Sequence, residues 1–295
     1  MTFSVNLFSD LQQIFYYPFM QHAYEAGTVV AVVAGIVGYF VVLRRSSFAA
    51  HSLSHIGFAG AAGAALFGVS PVYGLLLFTT VGGSSMAVLS PKAAHRDISI
   101  GTVLAFMLGL GVLFISLYSG YATEAYSILF GEILGISSND VLLTLFAGLI
   151  ILTAVGVVYR PLLFSSLDED VAEAKGLPTF RLGIVFMLLV AVATSIAVQV
   201  VGVLLIFSLM VTPAAIAQQL AKRPQRVLLI SVAVALMATW LGLFIAFYEP
   251  YPVSFFITTI VFVSYLLARL GRRMTKRKRA YPTSLQALAS MGEDR

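Results

Sequence analysis

The chain has 295 residues, of which 59% are hydrophobic and only 11% charged, where soluble domains carry roughly 25% charged residues. That balance excludes a soluble enzyme of this length and identifies a polytopic membrane protein, so the net charge of +5 reports topology rather than affinity for nucleic acid. With no Cys in the chain, disulfides and thiolate metal ligands are excluded too.

A spanning helix needs about 20 mostly apolar residues. Candidates lie at 21–43, 47–68, 70–90, 98–118, 140–160, 180–198, 200–217, 227–247 and 254–271, which predicts eight or nine spans. The first of them lacks the basic flank and small-residue cleavage site of a removable signal peptide. Threading nine spans from an outer N-terminus puts loops 44–46, 91–97, 160–179 and 218–226, and the C-terminal residues 272–295, on the inner side. All eighteen Lys and Arg fall in those loops or at their edges, the asymmetry of the positive-inside rule. The outer side then carries only acids, including Asp10, Glu25, Glu132, Asp140 and Glu249. Exported loops commonly avoid basic residues, and an acidic entrance also suits a cation substrate. Residues 1–271 read as one transmembrane domain and 272–295 as a basic cytoplasmic tail held against anionic lipid.

The second candidate span holds two of the four histidines, His51 and His55. Residues four apart share a helix face, so both imidazoles point into one space, as two ligands of a divalent transition metal would. Ionisable groups at membrane depth are costly and usually serve a function; the plainer alternative is two buried rings bonded to neighbouring carbonyls. Ser52 and Ser54 are placed to orient the rings by hydrogen bonds. Just downstream, Gly57, Gly60 and Gly63 recur among alanines. Small residues let helices approach closely in lipid, which puts the pair inside a bundle or at a subunit interface. His22, near the outer end of the first span, and His95, in an inner loop, read as interfacial.

Further along, Glu132 in Leu129-Phe-Gly-Glu-Ile-Leu-Gly135 is a candidate pathway or entrance ligand, or an exposed acid of the outer loop. The connection from Arg160 to Pro178 is written as a short capped helix. Ser166 with Glu169 three residues on makes a capping-box pattern, and Asp168, Glu169 and Asp170 suit the positive end of the helix dipole. Gly176 supplies a left-handed stop and Pro178 prevents resumption. Ser166, Asp168, Glu169, Asp170, Glu173 and Gly176 therefore mark a surface for a cytoplasmic partner, or a helix that merely connects two spans. No phosphate-binding loop of the form G-x-x-x-x-G-K-[ST] occurs, so if transport is driven by ATP the engine is a separate polypeptide, and this chain is expected to be a transport subunit and not itself an enzyme. Thr212-Pro213 ends the seventh candidate; Pro frees a carbonyl and permits a kink, marking a pathway-lining or hinge helix.

Five stretches occur in order: Leu43-Arg-Arg with Leu53-Ser-His-Ile-Gly-Phe-Ala-Gly60, Arg96-Asp with Ile100-Gly, Leu129-Phe-Gly with Ile-Leu-Gly135, Ser166-Leu-Asp with Gly176-Leu-Pro, and Val201-Gly-Val-Leu-Leu with Thr212-Pro-Ala-Ala. Together they make the chain resemble, over about residues 15–270, the permease subunits of bacterial ABC transporters that import zinc, manganese or iron. The resemblance implies an all-α bundle of eight to nine transmembrane helices with a short cytoplasmic coupling helix, in the bacterial inner membrane. It implies a second permease protomer in a homodimer, two cytoplasmic ATP-binding subunits docking on 165–178 and an extracytoplasmic metal-binding protein. The metal is then cargo, with no permanently bound cofactor, and the His55 position contributes to its path. Family members usually carry Asp where this chain has His51. An all-imidazole set favours softer ions than a carboxylate does, and two His from each of two protomers suit tetrahedral zinc. Zinc is therefore expected first, then manganese or iron. The rival expectation is a secondary metal-cation transporter driven by an ion gradient.

Overall fold

The computed structural model of the protein describes residues 7–89, 96–117, 131, 133–249 and 251–292. Among them there is no strand, as expected of apolar segments that must satisfy every backbone group internally in lipid. The helices are α1 (Leu7–Tyr16), α2 (Pro18–Leu43), α3 (Ser47–Leu66), α4 (Pro71–Leu89), α5 (Arg96–Leu117), α6 (Ser138–Leu167), α7 (Glu169–Ala174), α8 (Thr179–Val201), α9 (Val203–Leu220), α10 (Pro224–Tyr248) and α11 (Val253–Gly292). Eight of them, α2, α4 to α6 and α8 to α11, are long and apolar enough to cross a bilayer. The chain is thus an all-α polytopic membrane protein. Helix α3 has 20 residues, but its histidines, serines and glycines keep it out of that group.

Local sequence explains most boundaries. Pro18, Pro71 and Pro224 open α2, α4 and α10, where a missing N–H costs nothing. Helix α6 starts on a capping box in which Ser137 Oγ accepts from Asp140 N–H and the Asp140 carboxylate accepts from Ser137 N–H. Gly202, with φ +82°, is the single residue between α8 and α9. Two boundaries differ from expectation. Helix α6 runs seven residues past position 160, through Pro161, and α9 does not end at Thr212-Pro213 but carries Pro213 inside it to Leu220. The last helix continues through the basic tail to Gly292.

Helix α2 is the hub, packed against α6, α8, α9 and α10, while α3 packs on α4, α5, α8 and α9. The α3–α4 crossing is set by two glycines back to back. A Cβ on Gly60 would lie 2.2 Å from Gly74 O, and one on Gly74 would lie 2.0 Å from Gly60 O. Gly57 abuts Leu75 and Thr79, and Gly63 abuts the Phe114 ring. The small-residue stretch is therefore used within the chain, to hold α3 against α4 and α5.

Candidate metal site and coupling surface

Helix α3 leaves α2 through a tight corner. Arg45 takes the left-handed conformation, φ 54°, Ser46 is buried, and Ser46 N–H donates to Val41 O at 2.9 Å. His51 and His55 follow in the second and third turns of α3. Their ring centroids are 4.6 Å apart and the planes nearly perpendicular, at 85°. Helix α9 meets the pair through Phe207, whose ring lies 4.8 Å from that of His51.

Burial around α3 is one-sided. Ser52, Leu53, Ser54, Ile56 and Gly57 are buried, whereas Phe48, His51, His55 and Phe58 are not. Those four positions recur at helical spacing, so the histidines lie on the most open stripe of this stretch. His51 Nδ1 is nevertheless buried and has no hydrogen-bond partner. A buried nitrogen left unsatisfied costs about 1–3 kcal/mol. Ser52 and Ser54 do not orient the rings: Ser52 Oγ donates to Phe48 O at 2.9 Å and Ser54 Oγ to His51 O at 2.7 Å. Such back-bonding to the preceding turn is the usual outlet for a hydroxyl within a helix. Among the described residues no cluster of three or more His, Asp and Glu is poised to hold a metal, so one chain offers two imidazoles.

Of the other sequence candidates, Glu132 and His95 lie outside the described residues. His22 is a tether: its Nδ1–H donates to Ile136 O at 3.2 Å, and its Nε2 accepts from Ser138 Oγ at 3.3 Å. Gln199 Nε2 donates to Asp140 Oδ1 at 3.1 Å, joining the same end of α6 to α8. Thr212 is half-buried and Pro213 buried in α9.

The connection between α6 and α8 folds as a six-residue helix, α7, but its cap differs from the sequence expectation. Asp168, not Ser166, is the N-cap, its Oδ1 accepting from Val171 N–H at 3.0 Å. Ser166 belongs to the last turn of α6, with its hydroxyl donating to Leu162 O. At the other end Gly176 has φ +81°. Its N–H donates to Glu173 O at 2.8 Å and Leu177 N–H to Ala172 O at 3.1 Å, the paired bonds of a Schellman stop. Asp170, Glu173 and Val171 are exposed while Ala172 is buried, so α7 is seated by one small side chain and offers its acids outward.

One residue read from the sequence only as a topology marker has a larger part. Arg44 Nη1 donates to Ser165 Oγ at 3.2 Å and Ser166 Oγ at 3.4 Å, and its guanidinium lies 5.1 Å over the Phe186 ring. With Glu169, Thr179 and Gly183 it lines a small cavity. Arg44 thus ties the corner leading into α3 to the segments on both sides of α7.

The profile of the ABC 3 transport family matches residues 16–272. The chain is 28% identical over 274 residues to the manganese transport system membrane protein MntC of Listeria innocua, covering 91% of this chain and 98% of that one. It is 29% identical over 253 residues to the high-affinity zinc uptake system membrane protein ZnuB of Buchnera aphidicola, covering 84% and 95% of the two. The solved structure of PsaBC from Streptococcus pneumoniae in complex with Fab superposes with a TM-score of 0.79 at 27% identity, covering 89% of this chain and 95% of that chain.

Proposed function

We propose, from the premise that this chain belongs to the ABC 3 transport family, that it is the membrane-spanning subunit of an ATP-driven importer of divalent transition-metal ions. Zinc is the preferred cargo, followed by manganese or iron, and the ion passes between His51 and His55. The observation carrying this reading is the pair itself: two imidazoles 4.6 Å apart on the open stripe of an otherwise packed helix, one of them with a buried, unpaired nitrogen. Coordinating a cation, or donating to a group brought by a second protomer, removes that penalty.

Two nitrogens are half of a tetrahedral zinc shell. A second copy meeting the first along the α3 stripe supplies the other two, which is why we assign a homodimer with a shared path. The chain has no nucleotide-binding loop, so two separate ATP-binding subunits dock on α7 and an extracytoplasmic protein delivers the ion. The basic residues orient the N-terminus outside and the C-terminus in the cytoplasm of a bacterial inner membrane. The metal is cargo, there is no resident cofactor, and nucleic acid plays no part.

The test is zinc uptake into vesicles containing the complete transporter. Uptake should require ATP and fall to background when both histidines are changed to Ala. Uptake driven by a proton gradient without the ATPase subunits would instead establish a secondary transporter.

A further inference from the structure

At the end of α2 opposite Arg44, the chain carries a cleft of about 880 Å³ between α2, α6 and α10, within the size range of small-molecule sites. Its walls include Val29, Leu142, Leu145, Leu241 and Phe244, and Glu25 is the one charged residue lining it. The rim is fixed by internal bonds. Tyr24 OH donates to Trp240 O at 3.3 Å, Trp240 Nε1–H donates to Thr28 Oγ1 at 2.9 Å, and Thr28 Oγ1 donates to Tyr24 O at 2.6 Å. These bonds occupy the neutral rim groups, while Glu25 is exposed and has no ion pair among the described residues.

Depth decides what fills such a cleft. Glu25 lies nineteen residues before Arg44, the residue that caps the end of α2, about 28 Å of helix at 1.5 Å per residue, close to the ~30 Å hydrocarbon thickness of a bilayer. With Arg44 at one membrane surface, Glu25 lies at the other, level with the headgroups, and Trp240 beside it takes the interfacial position typical of indole. Val29 and Leu145, each one turn or more further along its helix, line the deeper part beside the acyl chains.

We propose that this cleft is a binding site for a phospholipid whose headgroup bears a primary ammonium, the ammonium resting on Glu25 and one acyl chain lying along Leu142, Leu145 and Leu241. Charge complementarity selects the headgroup, since a purely anionic lipid would bring its charge against the carboxylate. The site lies away from the His51–His55 stripe and does not depend on what the protein transports.

The experiment is native mass spectrometry of the full-length protein, delipidated and offered equal amounts of phosphatidylethanolamine and phosphatidylglycerol. Wild type should retain phosphatidylethanolamine over phosphatidylglycerol by about five-fold, the ratio an interfacial ion pair supports. Glu25→Gln should bring the ratio to one, and Leu145→Trp, which fills the cleft from a side chain already 41% exposed, should lower retention of both lipids. Equal retention by wild type, a preference surviving Glu25→Gln, or full retention in Leu145→Trp would each overturn the proposal. So would conversion of dimer to monomer by Leu145→Trp, which would make the cleft a contact between two copies.

Discussion

Changing Gly60 to Ala adds one carbon at the tightest crossing of the His-bearing helix. The new Cβ would sit 2.2 Å from Gly74 O and 2.6 Å from Phe78 Cβ. Ordinary contact begins at 3.4 Å, so the shortfall is 3.4 less 2.2, about 1.2 Å, and the nearest atom is backbone. Helices α3 and α4 must move apart, and a radial gap of even ~0.5–1 Å already forfeits a quarter to a half of the attraction between facing atoms. The expected destabilisation is about 1–3 kcal/mol, the usual result of overpacking. Because α3 carries both histidines, their placement against Phe207 and across the proposed dimer should shift by more than the ~0.2 Å that metal coordination tolerates. ATP-driven zinc uptake should fall about 10- to 100-fold, as when groups that orient metal ligands are disturbed. Gly101→Ala and Gly109→Ala are the controls: no atom lies within 4 Å of either new Cβ, and each should be neutral or stabilising by up to about 1 kcal/mol. Thermal unfolding and uptake measured on the three variants decide the matter. Wild-type stability and uptake in Gly60→Ala would refute the reasoning that this crossing positions the site.

Other outcomes follow from the same contacts. Arg44→Ala removes two charge-assisted bonds worth about 1.5–3 kcal/mol each when intact and should lower zinc transported per ATP hydrolysed. Arg44→Lys should not restore the ratio, because an ammonium lacks the planar guanidinium whose Nη1 reaches both hydroxyls while the group stacks on Phe186; an unchanged ratio in either variant would contradict this. His51→Asp should move competition from zinc toward manganese, checked by uptake of labelled zinc against rising manganese, and an unchanged profile would count against imidazole as the selector. Asp168→Ala should weaken α7 by about 1 kcal/mol, read as weaker binding of the ATPase subunit, while Ser166→Ala, which leaves the Asp168 cap of α7 intact, should weaken that binding less.

Much of the bundle is legible in the sequence because lipid leaves few alternatives to helix. The His51–His55 spacing, the glycine-rich stretch after it and the Gly176 stop each follow from local rules that tertiary contacts did not override. The misses have local causes as well. Ser166 and Asp168 both suit an N-cap, and the outcome depends on how far α6 extends past Pro161, which is settled by packing of Leu162 and Ser165 in the bundle. Ser52 and Ser54 were free to turn to the rings or to the preceding turn, and the nearer carbonyls won. The hydropathy of α3 is low because one side of it packs on other helices through small residues and the other carries the two histidines. The reach of Arg44 to Ser165 and Ser166 spans over a hundred residues of sequence, and no local pattern encodes it.

The claim that His51 and His55 bind the transported ion is tested most directly by X-ray absorption at the zinc edge on the zinc-loaded protein. The account predicts a shell of imidazole nitrogens at about 2.0–2.1 Å that is lost when both histidines are changed to Ala. A shell made only of oxygen, or a spectrum unchanged in the double variant, would contradict it.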